Sequence, residues 1–161
     1  MSTPWIYLAA PLFTQAETAF NKNLAAVLRD EEYHVFLPQE ECAGLSDPRD
    51  IFATCICGLE AASLVLVILD GADADSGSCF EMGFAFARDI PILGLRTDFR
   101  GTGDDGGLNL MLSRSCTHLI LASFKPQPAT DHVSYFQVAE DPLTQLLPAL
   151  ERLEGAQQAR I

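Results

Sequence analysis

Leu64-Val65-Leu66-Val67-Ile68-Leu69 runs directly into Asp70-Gly71-Ala72-Asp73-Ala74-Asp75-Ser76-Gly77. Consecutive apolar residues, several of them β-branched and with no polar alternation, read as a short strand buried on both faces, the condition of a central strand in a parallel sheet. The Asp- and Gly-rich stretch is a turn, and the residues beyond it predict a helix from about Ser78 to Arg88.

Upstream, Ile6-Tyr7-Leu8-Ala9-Ala10 is a short apolar run ended by Pro11. Thr14 with Glu17 three residues later makes a capping box for a helix carrying Phe20, Leu24, Val27 and Leu28. Val35-Phe36-Leu37 stops at Pro38, a polar loop follows, and Asp47-Pro48 starts a helix with Ile51, Phe52, Ile56 and Leu59 at helical spacing. Downstream, Ile90 to Leu95 is a fourth strand, Leu108 to Leu112 a short helix, His118 to Leu121 a fifth strand and Leu143 to Leu153 a terminal helix. This βαβα alternation predicts one α/β domain over residues 1–161, doubly wound and flavodoxin-like, with about five mainly parallel strands flanked by helices. In such a sheet ligands sit beyond the carboxyl ends of the strands, so function belongs in the loops after the first three.

The 161 residues are 48% hydrophobic and 20% charged, enough apolar material for one sizeable core. The formal net charge of −12 disfavours a nucleic-acid backbone or an anionic membrane surface as partner. Met1-Ser2-Thr3-Pro4 lacks the basic start of a secretory signal, and the Leu64–Leu69 run is far shorter than the ~20 residues of a membrane helix, so the expectation is a cytoplasmic protein. Cys42, Cys55, Cys57, Cys79 and Cys116 form no C-x-x-C pair, and with three scattered histidines they match no zinc spacing. Reduced thiols and no metal site are expected.

Two stretches imitate ligand loops. Gly101-Thr102-Gly103-Asp104-Asp105-Gly106 spells G-x-G-x-x-G, but the dinucleotide fingerprint belongs at the first strand-to-helix turn, and its two aspartates would repel a pyrophosphate. Asp70 and Glu81 stand at the first and last positions of a calcium loop, yet Ala72 and Ala74 occupy ligand positions and the turn glycine is missing. What remains is Glu81 in the opening turns of a helix at the mouth of the central strand. Asp75 and Glu81 could simply complement the helix N-terminus, a placement worth roughly 0.3–1 kcal/mol. However, Phe80, Met82, Phe84, Ala85 and Phe86 make the helix apolar nearly all round, which implies that Glu81 is buried on most sides. A buried carboxylate requires a partner. Tyr7 could offer its hydroxyl beside the exit of the third strand, or could be a packing residue.

On three segments the chain resembles the nucleoside 2-deoxyribosyltransferase family: Ile6-Tyr7-Leu8-Ala9-Ala10-Pro11-Leu12-Phe13, the Asp-x-Gly-x-x-x-Glu-x-Gly-x-Ala segment from Asp75 to Ala85, and Leu108-Asn109-Leu110-Met111-Leu112. The resemblance covers roughly residues 5 to 121. It implies that Glu81 attacks C1′ of a 2′-deoxynucleoside, that Tyr7 orients Glu81, and that Asp75 binds the sugar or assists the departing base. It further implies that Phe13 packs against the base, that Gln39 helps recognise it, that Gly77 borders the substrate, and that Asn109 and Met111 complete a neighbouring subunit's site in a homo-oligomer. Where the family often carries an acid or amide, 26 positions before the nucleophile, this chain has Cys55. A thiol is a poor general acid for a base nitrogen, so Cys55 reads as a packing or base-contact residue.

The reaction so implied is exchange of a free nucleobase on a 2-deoxyribosyl group by double displacement, with no cofactor and no metal, and with a preference for purines. One rival is hydrolysis of deoxynucleoside 5′-monophosphates, but that needs a phosphate cradle after the first strand, where the chain has Ala9-Ala10-Pro11-Leu12. The other is a nucleotide-sensing module without chemistry, which the presence of both Glu81 and Tyr7 disfavours.

Overall fold

A computed structural model describes residues 5–100, 103, 105 and 107–158, with side chains described as far as 155. The Met1–Pro4 opening and most of the Gly101–Gly106 run lie outside the described residues. In chain order the elements are β1 (Trp5–Ala9), α1 (Gln15–Asp30), β2 (His34–Phe36), α2 (Pro38–Glu41), α3 (Pro48–Ala61), β3 (Leu64–Ile68), α4 (Ser76–Ala87), β4 (Ile92–Arg96), α5 (Leu110–Ser115), β5 (His118–Ser123), β6 (Val133–Gln137) and α6 (Leu143–Gln158). Their strands form one sheet in the order β2-β1-β3-β4-β5-β6, every adjacent pair parallel. This is the flavodoxin-like arrangement, extended by a sixth strand.

β3 is buried at every residue because it pairs with β1 and β4 and is covered on both faces. One face sends Ile6, Leu8, Leu66 and Ile68 into a core with Leu24 and Leu28 of α1 and with Leu146 and Leu150 of α6. The other sends Tyr7, Val65 and Val67 into a core with Leu59 of α3 and with Met82 and Ala85 of α4. Each fully buried Leu, Ile or Val stabilises the fold by about 1.5–3 kcal/mol, so the alternation along β1 and β3 fixes which helices lie on which face.

The sequence expectations shift at several ends. The expected polar loop after Pro38 contains the single helical turn α2, which proline opens because it has no amide proton to lose there. α4 starts two residues earlier than expected since Asp75 caps it, and α5 starts later because Asn109 is its N-cap rather than a helical residue. α3 approaches β2 closely at Gly58, where a Cβ would meet the Phe36 ring at 2.6 Å. α1 ends in a Schellman turn, with Tyr33 N–H bonded to Leu28 O and Glu32 N–H to Arg29 O. That geometry leaves Glu32 at φ +67°, a left-handed conformation that glycine adopts more readily.

Candidate active site

The sheet order reverses direction between β1 and β3, so the loops leaving those two strands diverge and open a cleft at their carboxyl ends. On the α1 side lies a cleft of about 530 Å³ lined by Pro11, Thr14, Glu17, Asp70, Asp98 and Arg100, among others. Glu17 closes the capping box of α1, its carboxylate accepting from Thr14 N–H at 2.8 Å and Phe13 N–H at 3.0 Å. It also lies within electrostatic reach of Asp75.

Across the sheet, on the α3 and α4 side, Tyr7 donates its hydroxyl to Glu81 Oε1 at 2.5 Å. Tyr7 is fully buried in the middle of β1, and its ring stacks on Phe36 with centroids 5.1 Å apart. That stacking leaves the hydroxyl little freedom of direction. Burial, with Glu81 beside it, holds the Tyr7 phenol well above the usual tyrosine range, so it remains a donor. Glu81 projects from the second turn of α4, where burial pushes its carboxyl up to about 7; the Tyr7 hydroxyl pulls the other way and the charge of Asp75 adds to the rise. Near neutral pH such a carboxyl is present in both protonation states.

Asp75 has a structural task as well. Its Oδ2 accepts from Ser78 N–H at 2.8 Å and from Ser78 Oγ at 3.1 Å, capping α4. Gly77 stands beside that oxygen, and a Cβ there would come within 3.1 Å of it. The cap thus occupies the turn of α4 immediately before the one that carries Glu81.

Cys55, on α3, lies within electrostatic reach of Tyr7, and its Sγ is 3.8 Å from that of Cys42. Tyr7, Glu81, Asp75 and Cys55 are thus brought together from β1, α4 and α3. Gln39 is held elsewhere: its Nε2 donates to Thr18 O at 2.9 Å and its Oε1 accepts from Asn21 Nδ2 at 3.3 Å, tying α2 to α1. Phe13 is 77% exposed on the loop after β1. Met111, equally exposed, lines an apolar groove of about 440 Å³ between α4 and α5 with Met82, Gly83, Phe86 and Leu110. Asn109 Oδ1 caps α5 by accepting from Met111 N–H at 2.9 Å.

Two features escape the sequence reading. Cys42 carries no signal at sequence level, because only the packing of α2 on α3 puts it beside Cys55. Arg96 ends the apolar strand β4 and is 4% exposed. Its guanidinium donates to Leu69 O, Gly71 O, Asp98 O and Arg100 O. Asp70 completes this tie by accepting from Thr97 N–H at 2.6 Å, Asp98 N–H at 3.0 Å and the Thr97 hydroxyl. A lone arginine at the end of an apolar strand was the available clue.

Among the described residues no group of three His, Cys, Asp or Glu side chains could hold a metal ion, and no helix is long and apolar enough to cross a membrane.

The parallel sheet with its switch point defines a doubly wound α/β protein, and the carboxylate held by a buried phenol beside that point is its candidate site. Residues 6–113 match the sequence pattern of the nucleoside 2-deoxyribosyltransferases, and the chain belongs to that family. No curated protein matches the sequence. Among solved structures, the 2-deoxyribosyltransferase of the psychrotolerant bacterium Bacillus psychrosaccharolyticus is similar, with 24% identity, 71% of this chain and 84% of that chain covered, and a TM-score of 0.61. A 2-deoxyribosyltransferase from Leishmania mexicana is 24% identical over 68% of this chain and 85% of that one, with a TM-score of 0.57. The CMP N-glycosidase of Clostridium botulinum is 15% identical over 91% of this chain and 98% of that one, with a TM-score of 0.59. At these identities the likeness is one of fold.

Proposed function

We propose that this protein transfers a 2-deoxyribosyl group from one nucleobase to another through a covalent ester on Glu81. The observation that carries the reading is the 2.5 Å hydrogen bond from Tyr7 to Glu81. Cleavage at C1′ develops oxocarbenium character, which a close carboxylate stabilises and then traps. In the first displacement a Glu81 oxygen bonds to C1′ as the C1′–N bond breaks, and the base leaves with the electron pair and takes up a proton. In the second a nitrogen of the incoming base attacks C1′, loses its proton and returns Glu81 as a carboxylate. Two inversions give net retention.

Glu81 must be ionised to attack, and Tyr7 steadies that form from one side while leaving the other oxygen free. Asp75 serves twice, capping α4 with Oδ2 and offering Oδ1 to a sugar hydroxyl or to the departing base. Phe13 would cover the base and Gly77 would border the sugar. Cys55 stands where the family often has an acid or amide, which supports a purine preference, since purine nitrogens need less help from that position.

The reading includes a homo-oligomer in which Asn109 and Met111 complete a neighbour's site. Its support is exposed apolar side chains, Phe52 against Phe80 with ring centroids 6.1 Å apart, and Phe86, Leu110 and Met111 lining the groove between α4 and α5. Clustered exposed apolar side chains of this kind mark interaction surfaces.

The test is incubation with deoxyinosine and adenine, alongside deoxyinosine alone, with Glu81→Ala as control. Deoxyadenosine formed only with intact Glu81 supports transfer through that carboxylate. Free deoxyribose without deoxyadenosine makes the protein a hydrolase. Turnover confined to nucleoside monophosphates would favour the N-glycosidase reading, which the loop Ala9-Ala10-Pro11-Leu12 argues against because it offers no side-chain donor for a phosphate.

A further inference from the structure

Of the five thiols, two stand in a relationship that the deoxyribosyl chemistry does not use. Cys42 Sγ and Cys55 Sγ are 3.8 Å apart, in contact across the packing of α2 on α3. Cys42 Sγ also points to Ile51 O, one turn before Cys55 on the same helix. The sulfurs therefore lie over one face of α3. A disulfide requires a separation of about 2.05 Å, so the pair must close by somewhat less than about 2 Å. The two backbones are unequal in their capacity to allow this. Cys55 sits inside the fourteen-residue helix α3, whereas Cys42 ends the four-residue α2 and leads into the loop through Gly44. Movement of Cys42 toward a fixed Cys55 is the direction of least resistance. Both thiols are partly exposed, so a small reagent can reach them.

We propose that Cys42 and Cys55 form an oxidisable dithiol site that reacts with small-molecule disulfides, and that closing it withdraws the Cys55 thiol from the Tyr7 hydroxyl. One protein thiolate attacks the small disulfide RS–SR, forming a mixed disulfide and releasing RS⁻. The second protein thiolate displaces the other RS⁻, and the Cys42–Cys55 bond forms. The protein loses two electrons and two thiol hydrogens; the small disulfide becomes two RSH. Burial and the neighbouring sulfur push the Cys42 thiol up to about 11. Attack by Cys42 is therefore slow near neutrality and accelerates as the pH rises.

The site is coupled to the Tyr7–Glu81 pair through Tyr7: Cys55 lies within electrostatic reach of the phenol whose hydroxyl holds Glu81. As a disulfide sulfur it has no hydrogen to donate and is drawn toward Cys42. The other thiols differ: Cys116 is buried and its thiol is pushed up to about 12, while Cys57 is exposed and open to mixed-disulfide formation alone.

The experiment treats the reduced full chain with excess oxidised glutathione at mildly alkaline pH, alkylates the remaining thiols, and reads intact mass and peptide map for wild type, Cys42→Ser and Cys55→Ser. Expected is a wild-type crosslink between the peptides carrying Cys42 and Cys55, with the mass of two hydrogens lost, and in each variant a retained glutathione adduct on the surviving partner. Adducts on both cysteines without a crosslink, or a crosslink to Cys57 or Cys79, overturn the site. The coupling rests on the proposed role of Glu81 and is read separately. Oxidation should slow base exchange roughly ten- to a hundredfold, the effect of a small misplacement next to the reacting groups. Dithiothreitol should restore the rate; Cys42→Ser, whose Cys55 carries the glutathione adduct after the same treatment, should slow as well and recover with dithiothreitol. An unchanged rate in the crosslinked protein overturns the coupling. A reduced protein without base exchange sinks the proposed function, while the peptide map still decides the dithiol.

Discussion

Tyr7 and Glu81 meet at 2.5 Å, joining the middle of β1 to the second turn of α4 across 74 positions of sequence. Because Tyr7 is fully buried and stacked on Phe36, its hydroxyl is aimed by the sheet itself. The helix that carries Glu81 is in turn fixed by Asp75 at its N-terminus and by Met82 and Ala85 in the core. The protonation state of Glu81 is thus set by opposed effects, burial and the charge of Asp75 raising its pKa and the Tyr7 donor lowering it.

Removing the donor leaves burial unopposed. In Tyr7→Phe the Glu81 carboxyl should hold its proton to higher pH, above the value of about 7 in the intact protein. Since attack needs the ionised form, the acid limb of the rate profile should move toward alkaline pH. The maximal rate should fall roughly 10- to 100-fold with the loss of a positioned partner. A pH–rate profile measures both; an unmoved acid limb would reduce Tyr7 to a packing residue.

The same carboxyl makes stability depend on pH in a stated direction. Its pKa rises from 4.5 to about 7 on folding, so the folded state holds the proton more tightly. The stability it contributes is fully present below pH 4.5 and is lost as the pH rises through about 7. Beyond that the ionised, partly buried group costs the fold roughly 2–3 kcal/mol. Glutamine does not titrate and can still accept from Tyr7. Glu81→Gln should therefore be inactive yet more stable than the wild type by that amount near about pH 8, with little difference near about pH 4. Urea unfolding at both pH values checks it, and equal stability at the higher pH would mean that Glu81 is not strained by burial.

The sheet was legible from the sequence because β1, β3 and β4 are short apolar runs bounded by proline or glycine, each with a helical pattern between. β6 was not, since Val133-Ser134-Tyr135-Phe136-Gln137 follows β5 after a short polar connection without the helix that normally marks a parallel crossover. Glu81 was legible through its place at a helix start, whereas position alone left Tyr7 between a hydroxyl donor and a packing residue, and only the family resemblance implied their pairing. Gln39 was not legible, because an amide just after a strand looks the same whether it faces a ligand or, as here, bonds to Thr18 O and Asn21. The Arg96 tie depends on four backbone carbonyls, and no sequence pattern records where carbonyls will converge.

Asp75 separates a structural role from a chemical one by substitution. Its Oδ2 caps α4 through Ser78, and asparagine provides an equivalent cap oxygen without charge. Asp75→Asn should keep thermal stability within a few tenths of a kcal/mol and still lose most base exchange, whereas Asp75→Ala should also lose about 1 kcal/mol. Full exchange activity in Asp75→Asn would leave this residue only its cap.

Arg96 tests whether the site depends on a tie outside it. Its side chain bonds to Leu69 O at 2.6 Å, Gly71 O at 3.0 Å, Asp98 O at 2.9 Å and Arg100 O at 2.6 Å, clamping the exit of β3 to the exit of β4. The chain leaving β3 at Ile68 reaches Asp75 after seven residues and Glu81 after thirteen, so its path sets where α4 begins. Lysine keeps the charge, but a single ammonium on a flexible stem cannot hold four carbonyls in the plane of a guanidinium. Arg96→Lys should cost about 2 kcal/mol or more, from carbonyls left without their donor. It should also raise amide hydrogen exchange across residues 69–75 and 97–100 and lower kcat more than KM, since the reacting groups are misplaced rather than the substrate unbound. Destabilisation with local exchange and kcat both unchanged would make the clamp a stability device without influence on Glu81.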